Sequence, residues 1–241
     1  MRLSRVHLDS LLELNSVISL PKETAHYLSN VLRLRIDDEL LVFNAQQGEF
    51  LAKVSAVAKR AVDIELIELK RNANTAAALS LHLLLGLSRG DRMDFAVQKS
   101  TELGVSDITP VYTEFGEVRL KAERVEKKLQ HWQKIAISAC EQSGRLDVPV
   151  IHSPITLMDL PSSECVNKWM LEPSGSDTLP QSIRENNIEL LIGPEGGFSA
   201  TEIDWAQGSG FKIVALGSRI LRTETAPVAA LAILQHKYGD M

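Results

Sequence analysis

From Leu79 onward the sequence alternates apolar runs with amphipathic stretches of helical period. That alternation restricts the segment to a mostly parallel sheet with helices on both faces. The run at 79–87 (Leu-Ser-Leu-His-Leu-Leu-Leu-Gly-Leu) is largely continuous rather than alternating, as expected of a strand covered on both sides. A helix over 91–103 places Met93, Ala96, Val97, Ser100 and Leu103 on one face, and Gly104 ends it. Strands are predicted at 108–112, 168–171, 188–192 and 211–216. A long helix over 121–143 carries the stripe Val125, Leu129, Trp132, Ala136, Ala139 and Cys140 and stops at Gly144. Ser199-Ala200-Thr201-Glu202 matches a capping box and opens another helix. The last helix, 226–237, has Pro227 in its first turn, where a missing N–H costs nothing.

The first 71 residues read differently. Short strands at 39–44, 50–57 and 61–69, with Gln46-Gln47-Gly48 as a turn, fit a small barrel-like unit. A short helix over 22–32 is expected before them, with His26, Leu28, Val31 and Leu32 as inward positions. The polar stretch 71–76 is the natural linker, so the domains are expected to be 1–73 and 74–241.

No apolar run approaches the roughly 20 residues that span a bilayer, and residues 1–10 mix charged with apolar side chains. A cytoplasmic protein with no membrane partner is expected. The two cysteines, Cys140 and Cys165, show no metal-ligand spacing and read as free, buried or half-buried thiols, so no metal is expected. The net charge is −5, but residues 1–71 and 72–150 each carry equal numbers of basic and acidic side chains. The whole deficit lies after residue 150. A nucleic-acid surface, if present, belongs to the first two thirds of the chain.

Two loops carry the chemistry. Gly-Pro-Glu-Gly-Gly at 193–197 follows an apolar strand and precedes a capped helix, an arrangement that presents backbone N–H groups to a ligand. It lacks the spacing of a Walker loop or a dinucleotide fingerprint, and taken alone it also reads as an ordinary turn. The second loop, 216–225, combines Arg219, Arg222, Glu224 and two threonines with apolar Ile220 and Leu221. That mixture suits an adenine-containing ligand better than a solvated turn. A third cluster, Glu141, Gln142 and Arg145, lies where the long helix ends and reads either as polar C-cap groups or as part of a site.

Together with His26 to Arg33, Arg89 to Asp94, Gln98 to Val105, His131 to Ala136 and Cys140 to Arg145, these loops make the chain resemble the bacterial 16S ribosomal RNA (uracil-N3) methyltransferases of the SPOUT superfamily. The resemblance implies an α/β fold: a trefoil-knotted parallel-sheet methyltransferase domain preceded by a PUA-like β-barrel domain that binds RNA. It also implies a homodimer. Two mild departures are Ile36-Asp37-Asp38, where relatives often carry a glycine, and a single glycine in Gln46-Gln47-Gly48.

The implied reaction transfers a methyl group from S-adenosylmethionine to N3 of a specific uridine in small-subunit RNA. It needs a base, a cation stabilising the uracil anion, or both. Arg222, and with it Arg145, is expected to stabilise that anion or hold phosphate. Glu224 is expected to be the base, or else an ion-pair partner that orders the loop. The cofactor is expected on Leu171, Glu172, Ile192, Gly193, Gly196, Gly197, Leu216, Gly217, Ile220 and Leu221. RNA is expected on Arg2, Arg5, Arg33 and Arg35 and on the run Arg119, Lys121, Arg124, Lys127 and Lys128, although Glu123 and Glu126 interleave that run as on a solvated helix face. The target base must be unpaired or extruded to expose N3. Competing readings are a methyltransferase acting on another RNA position, including ribose 2′-O, and a ribosome-assembly module without turnover.

Overall fold

The computed structural model describes residues 3–31, 33–58, 61–73 and 79–241. Arg2, Leu32 and the expected boundary near residue 74 lie outside the described residues. The chain forms two compact units, one of Met1–Ala76 with Cys140–Val148, the other of Ala77–Ala139 with Pro149–Met241.

The first unit contains β1 (Arg5–His7), β2 (Val17–Ser19), α1 (Lys22–His26), β3 (Glu39–Asn44), β4 (Gly48–Ala58) and β5 (Ala61–Arg71). The strands form one sheet in the order β1-β3-β4-β5-β2, antiparallel except for the β1–β3 pair. Three register shifts between β4 and β5 mark bulges, which increase local twist. Leu28, Leu40, Val42, Ala52, Ile64 and Leu66 are fully buried between the sheet and the short helical segment. The expected helix over 22–32 is an α-helical turn followed by a π-helical turn at Tyr27–Val31. Ala25 and Leu28 face inward, whereas His26, about 100° further round than Ala25, is exposed. In the turn at 36–38, Asp37 holds a φ of 75° and an ion pair to Lys53 at 2.9 Å. Aspartate tolerates this left-handed conformation better than most residues.

The second unit continues with β6 (Ser80–Gly86), α2 (Gly90–Glu102), β7 (Asp107–Tyr112), α3 (Ala122–Ser143), β8 (Val150–Ile151), β9 (Ile155–Thr156), β10 (Lys168–Leu171), β11 (Asn187–Ile192), α4 (Ala200–Gly208), β12 (Lys212–Val214) and α5 (Thr225–Tyr238). The strands run parallel in the order β12-β10-β11-β6-β7-β8, with β9 also beside β7. Leu84, Val111, Met170, Leu191, Phe198, Phe211 and Ile213 pack into one core. The capping box of α4 is formed: Ser199 Oγ accepts from the Glu202 N–H at 3.3 Å, and Glu202 Oε2 accepts from the Ser199 N–H at 2.9 Å. The expected strand over 211–216 ends at Val214, because Ala215 and Leu216 already belong to the loop that leaves the sheet.

No helix among the described residues is long and apolar enough to cross a membrane. Cys140 is buried, which pushes its thiol up to about 11, and Cys165 is half-buried; both are free.

Candidate active site

Ligands of open parallel sheets bind beyond the carboxyl ends of the strands. Here β12, β10 and β11 end level with one another: Leu171 pairs with Ile192 on one side and Val214 on the other. The loops leaving these three ends enclose a cavity of about 490 Å³, within the roughly 300–1,000 Å³ of small-molecule sites. Leu171, Ile192, Val214 and Phe198 supply apolar wall. Glu172, Gly193 and Gly197 line it from the first two loops, and Leu216, Gly217, Ile220 and Leu221 from the third.

Gly196 is the expected cofactor residue that does not line the cavity. It packs against the neighbouring loop, where an added Cβ would lie 2.5 Å from the Phe115 carbonyl oxygen. Its role is close backbone approach between loops. A Cβ on Gly193 would come within 2.9 Å of the Phe198 ring, and Gly217 holds a φ of 91°. The loops therefore need glycine for both space and conformation.

Charged side chains complete the wall: Arg92, Glu195, Arg219, Arg222 and Glu224. Glu224 precedes α5, yet its carboxylate makes no capping bond to that helix. Its side chain is 19% exposed, and its Oε2 is buried without a hydrogen-bond partner. Arg222 Nη1 lies 4.0 Å from Glu224 Oε1, and Arg92 Nε lies 4.0 Å from Oε2. Both distances exceed hydrogen-bonding range. The carboxylate is thus flanked by two cations and bonded to neither. Arg92 also donates from Nη1 to Glu195 Oε1 at 2.7 Å, and that bond raises its proton affinity.

Arg92 is absent from the site residues expected from sequence. The available signal was its position in the first turn of α2, directly after the carboxyl end of a central strand.

Other expected residues lie elsewhere. Arg145 belongs to the first unit and pairs with Asp147. It is not among the residues that line the cavity. Arg5, expected on an RNA surface, is 6% exposed at its side chain. It bonds Glu49 and donates to the carbonyls of Cys140, Glu141 and Arg145, so it serves the interior of the first unit. Arg33 and Arg35 are exposed, Arg33 with a φ of 56°. In the second unit Arg119 donates to the Thr113 carbonyl at 2.7 Å and stacks over Tyr112. Lys121, Arg124 and Lys127 are exposed, as are the interleaved Glu123 and Glu126.

Part of the motif Arg89 to Asp94 is structural. Asp94 accepts from the Trp132 indole at 3.2 Å and meets His131 Nε2 at 2.7 Å, fixing α3 to α2.

The cavity fits an adenosyl cofactor by its chemistry. It offers an apolar slot, backbone groups from glycine-containing loops and a buried carboxylate oxygen that lacks a donor. The model of the RNA methyltransferase domain matches residues 75–235, and that of the RNA methyltransferase PUA domain matches residues 20–67. Fold, site and these matches define an RNA methyltransferase with a PUA-like N-terminal domain.

Curated relatives make the assignment narrower. The ribosomal RNA small subunit methyltransferase E of Buchnera aphidicola (from Schizaphis graminum) is 38% identical, over 100% of this chain and 98% of its own. The Bacillus subtilis protein of the same name is 30% identical, over 91% and 90%. A methyltransferase from Legionella pneumophila, solved with S-adenosylmethionine bound, superposes with a TM-score of 0.94 at 36% identity, covering 100% of both chains. The small subunit methyltransferase E of Neisseria gonorrhoeae, also with S-adenosylmethionine, gives 0.89 at 36% identity and the same coverage. The chain belongs to the ribosomal RNA small subunit methyltransferase E family.

Proposed function

We propose that the protein methylates N3 of a specific uridine in small-subunit ribosomal RNA, using S-adenosylmethionine held in the cavity at the ends of β10, β11 and β12. The observation that carries this reading is Glu224, whose buried Oε2 lacks a donor and whose carboxylate stands between two guanidiniums. Uracil N3–H is a donor, and the anion left by its proton spreads charge onto O2 and O4. Glu224 accepts the proton, and Arg222, 80% exposed at the cavity wall, offers positive charge to those oxygens. The cofactor, when bound, supplies an electrophilic methyl group on a sulfonium. The loops at 193–197 and 216–221 hold it chiefly by backbone and apolar contact.

The reading assigns RNA binding to residues 1–73 and methyl transfer to 74–241. Exposed Arg33 and Arg35 serve the first domain and the 119–128 face serves the second. It places the protein in the cytoplasm as a homodimer. Exposed Ile220, 82% accessible beside the cavity, is an apolar side chain that a second subunit or the RNA would cover.

The test is to map methylated nucleotides in small-subunit RNA from cells lacking the protein. Loss of N3-methyluridine, restored by the purified enzyme and cofactor, is expected. Persistence of that mark ends the reading.

A further inference from the structure

We propose that Arg92 is a positioning residue that ties the loop at 193–197 to the loop at 216–225 and fixes where the Glu224 carboxylate lies. The proposal rests on the methyltransferase reading above. The three residues are brought together by different strands: Arg92 follows β6, Glu195 follows β11 and Glu224 follows β12. Arg92 projects from a rigid element, because Met93, Ala96 and Val97 bury the same first turns of α2. Its Nη1 bonds Glu195 at 2.7 Å while its Nε faces Glu224 Oε2 at 4.0 Å.

Glu224 needs such a guide. It makes no capping bond to α5, and Oε2 has no hydrogen-bond partner. Of the two cations beside it, Arg222 is 80% exposed, whereas Arg92 is 46% exposed and anchored by Glu195. A half-exposed pair of this kind contributes little to stability. Its value is geometric. The guanidinium turns separate nitrogens of a rigid planar fork toward the two carboxylates, whereas a lysine ammonium is a compact point charge on a flexible stem.

The experiment compares R92Q, R92K, E195Q and R92Q/E195Q by calorimetric titration of S-adenosylmethionine and by single-turnover methylation of small-subunit RNA at saturating cofactor. R92Q and E195Q are expected to weaken cofactor binding about tenfold, within the roughly 5- to 150-fold range of coupling between sites. The single-turnover rate should fall about a hundredfold, as for a misplaced catalytic group. The double variant should be no worse than R92Q, since both substitutions remove one linkage. R92K should regain affinity through Glu195 but not rate. Thermal midpoints should match that of the unsubstituted protein.

Additive losses in the double variant, an unaffected rate in R92Q, or full recovery of rate in R92K would each overturn the proposal. Methylation by the unsubstituted protein at another RNA position would defeat the N3 assignment alone. The affinity comparison does not depend on turnover and still decides the role of Arg92.

Discussion

Arg5 Nε lies 2.6 Å from Glu49 Oε1, and both side chains are more than nine-tenths buried in the first unit. Arg71 reaches the other carboxylate oxygen at 3.0 Å. Breaking a buried pair costs about 3–5 kcal/mol, and Arg71, which stays on Glu49 after loss of Arg5, makes that figure an upper bound. Arg5→Met is expected to lower stability by up to that amount, read from urea unfolding, because it also abandons the carbonyls of Cys140, Glu141 and Arg145.

The same pair sets an acid limit. Burial pushes the Glu49 carboxyl up, but hydrogen bonds from Arg71 and Arg5 outweigh it, and the net shift is downward from 4.5. A depressed carboxyl stabilises the fold above its unfolded value, and that contribution is lost as pH falls through the folded value. Stability should therefore decline below about pH 4.5, and Glu49→Gln should flatten the decline in a series of denaturant melts.

His82 gives a second limit nearer neutrality. It is half-buried in β6, bonded to Thr109 Oγ1 at 2.8 Å, with its ring centroid 5.7 Å from that of His152. Burial lowers its proton affinity below 6.5. The unfolded chain then binds the proton more readily, so stability is full above 6.5 and falls as pH drops below it. His82→Gln should remove that slope between neutral and mildly acid pH. An unchanged slope would place the titration elsewhere.

Arg222→Ala and Glu224→Gln should separate chemistry from binding. Loss of a group that stabilises developing charge costs roughly 10²–10³ in rate, and loss of a general base roughly 10²–10⁴. Because Arg222 is 80% exposed, its truncation should leave stability within about 0.5 kcal/mol. Single-turnover assays beside cofactor calorimetry check both; normal methylation by Arg222→Ala would sink its assignment.

Gly196→Ala tests loop packing rather than lining. The added methyl meets backbone, 2.5 Å from the Phe115 oxygen, so the loop must shift. A displacement near 1 Å can cost about a hundredfold in function. Cofactor affinity should fall although Gly196 does not touch the cavity; unaltered affinity would show that the loop relaxes freely.

The parts legible in sequence are those in which pattern is local. The strand at 168–171 is found where expected because four apolar-rich residues stand between polar loops, and the α4 capping box is written in four consecutive letters. Strands β1, β2, β8 and β9 span two or three residues each, too short to show a period. Arg5 read as a surface cation because its partners are remote in sequence, Glu49 by 44 positions and the Cys140 carbonyl by 135. Arg92 escaped for the same reason: only the folded sheet brings Glu195 beside it. The glycine loops and Glu224 stood out because each pairs unusual local chemistry with a strand end.

The first unit is completed by Cys140–Val148, which carries Cys140, Leu146 and Val148 onto fully buried Phe43. The core from Val6 to Leu66 is local in the chain, but the cover over Phe43 is not synthesised until the chain has grown past residue 140. A fragment ending at residue 73 would present Phe43 and the Arg5–Glu49 pair to water. Translation order thus makes the cover over Phe43 the last part of the amino-terminal unit to be supplied, by a chain already more than half made.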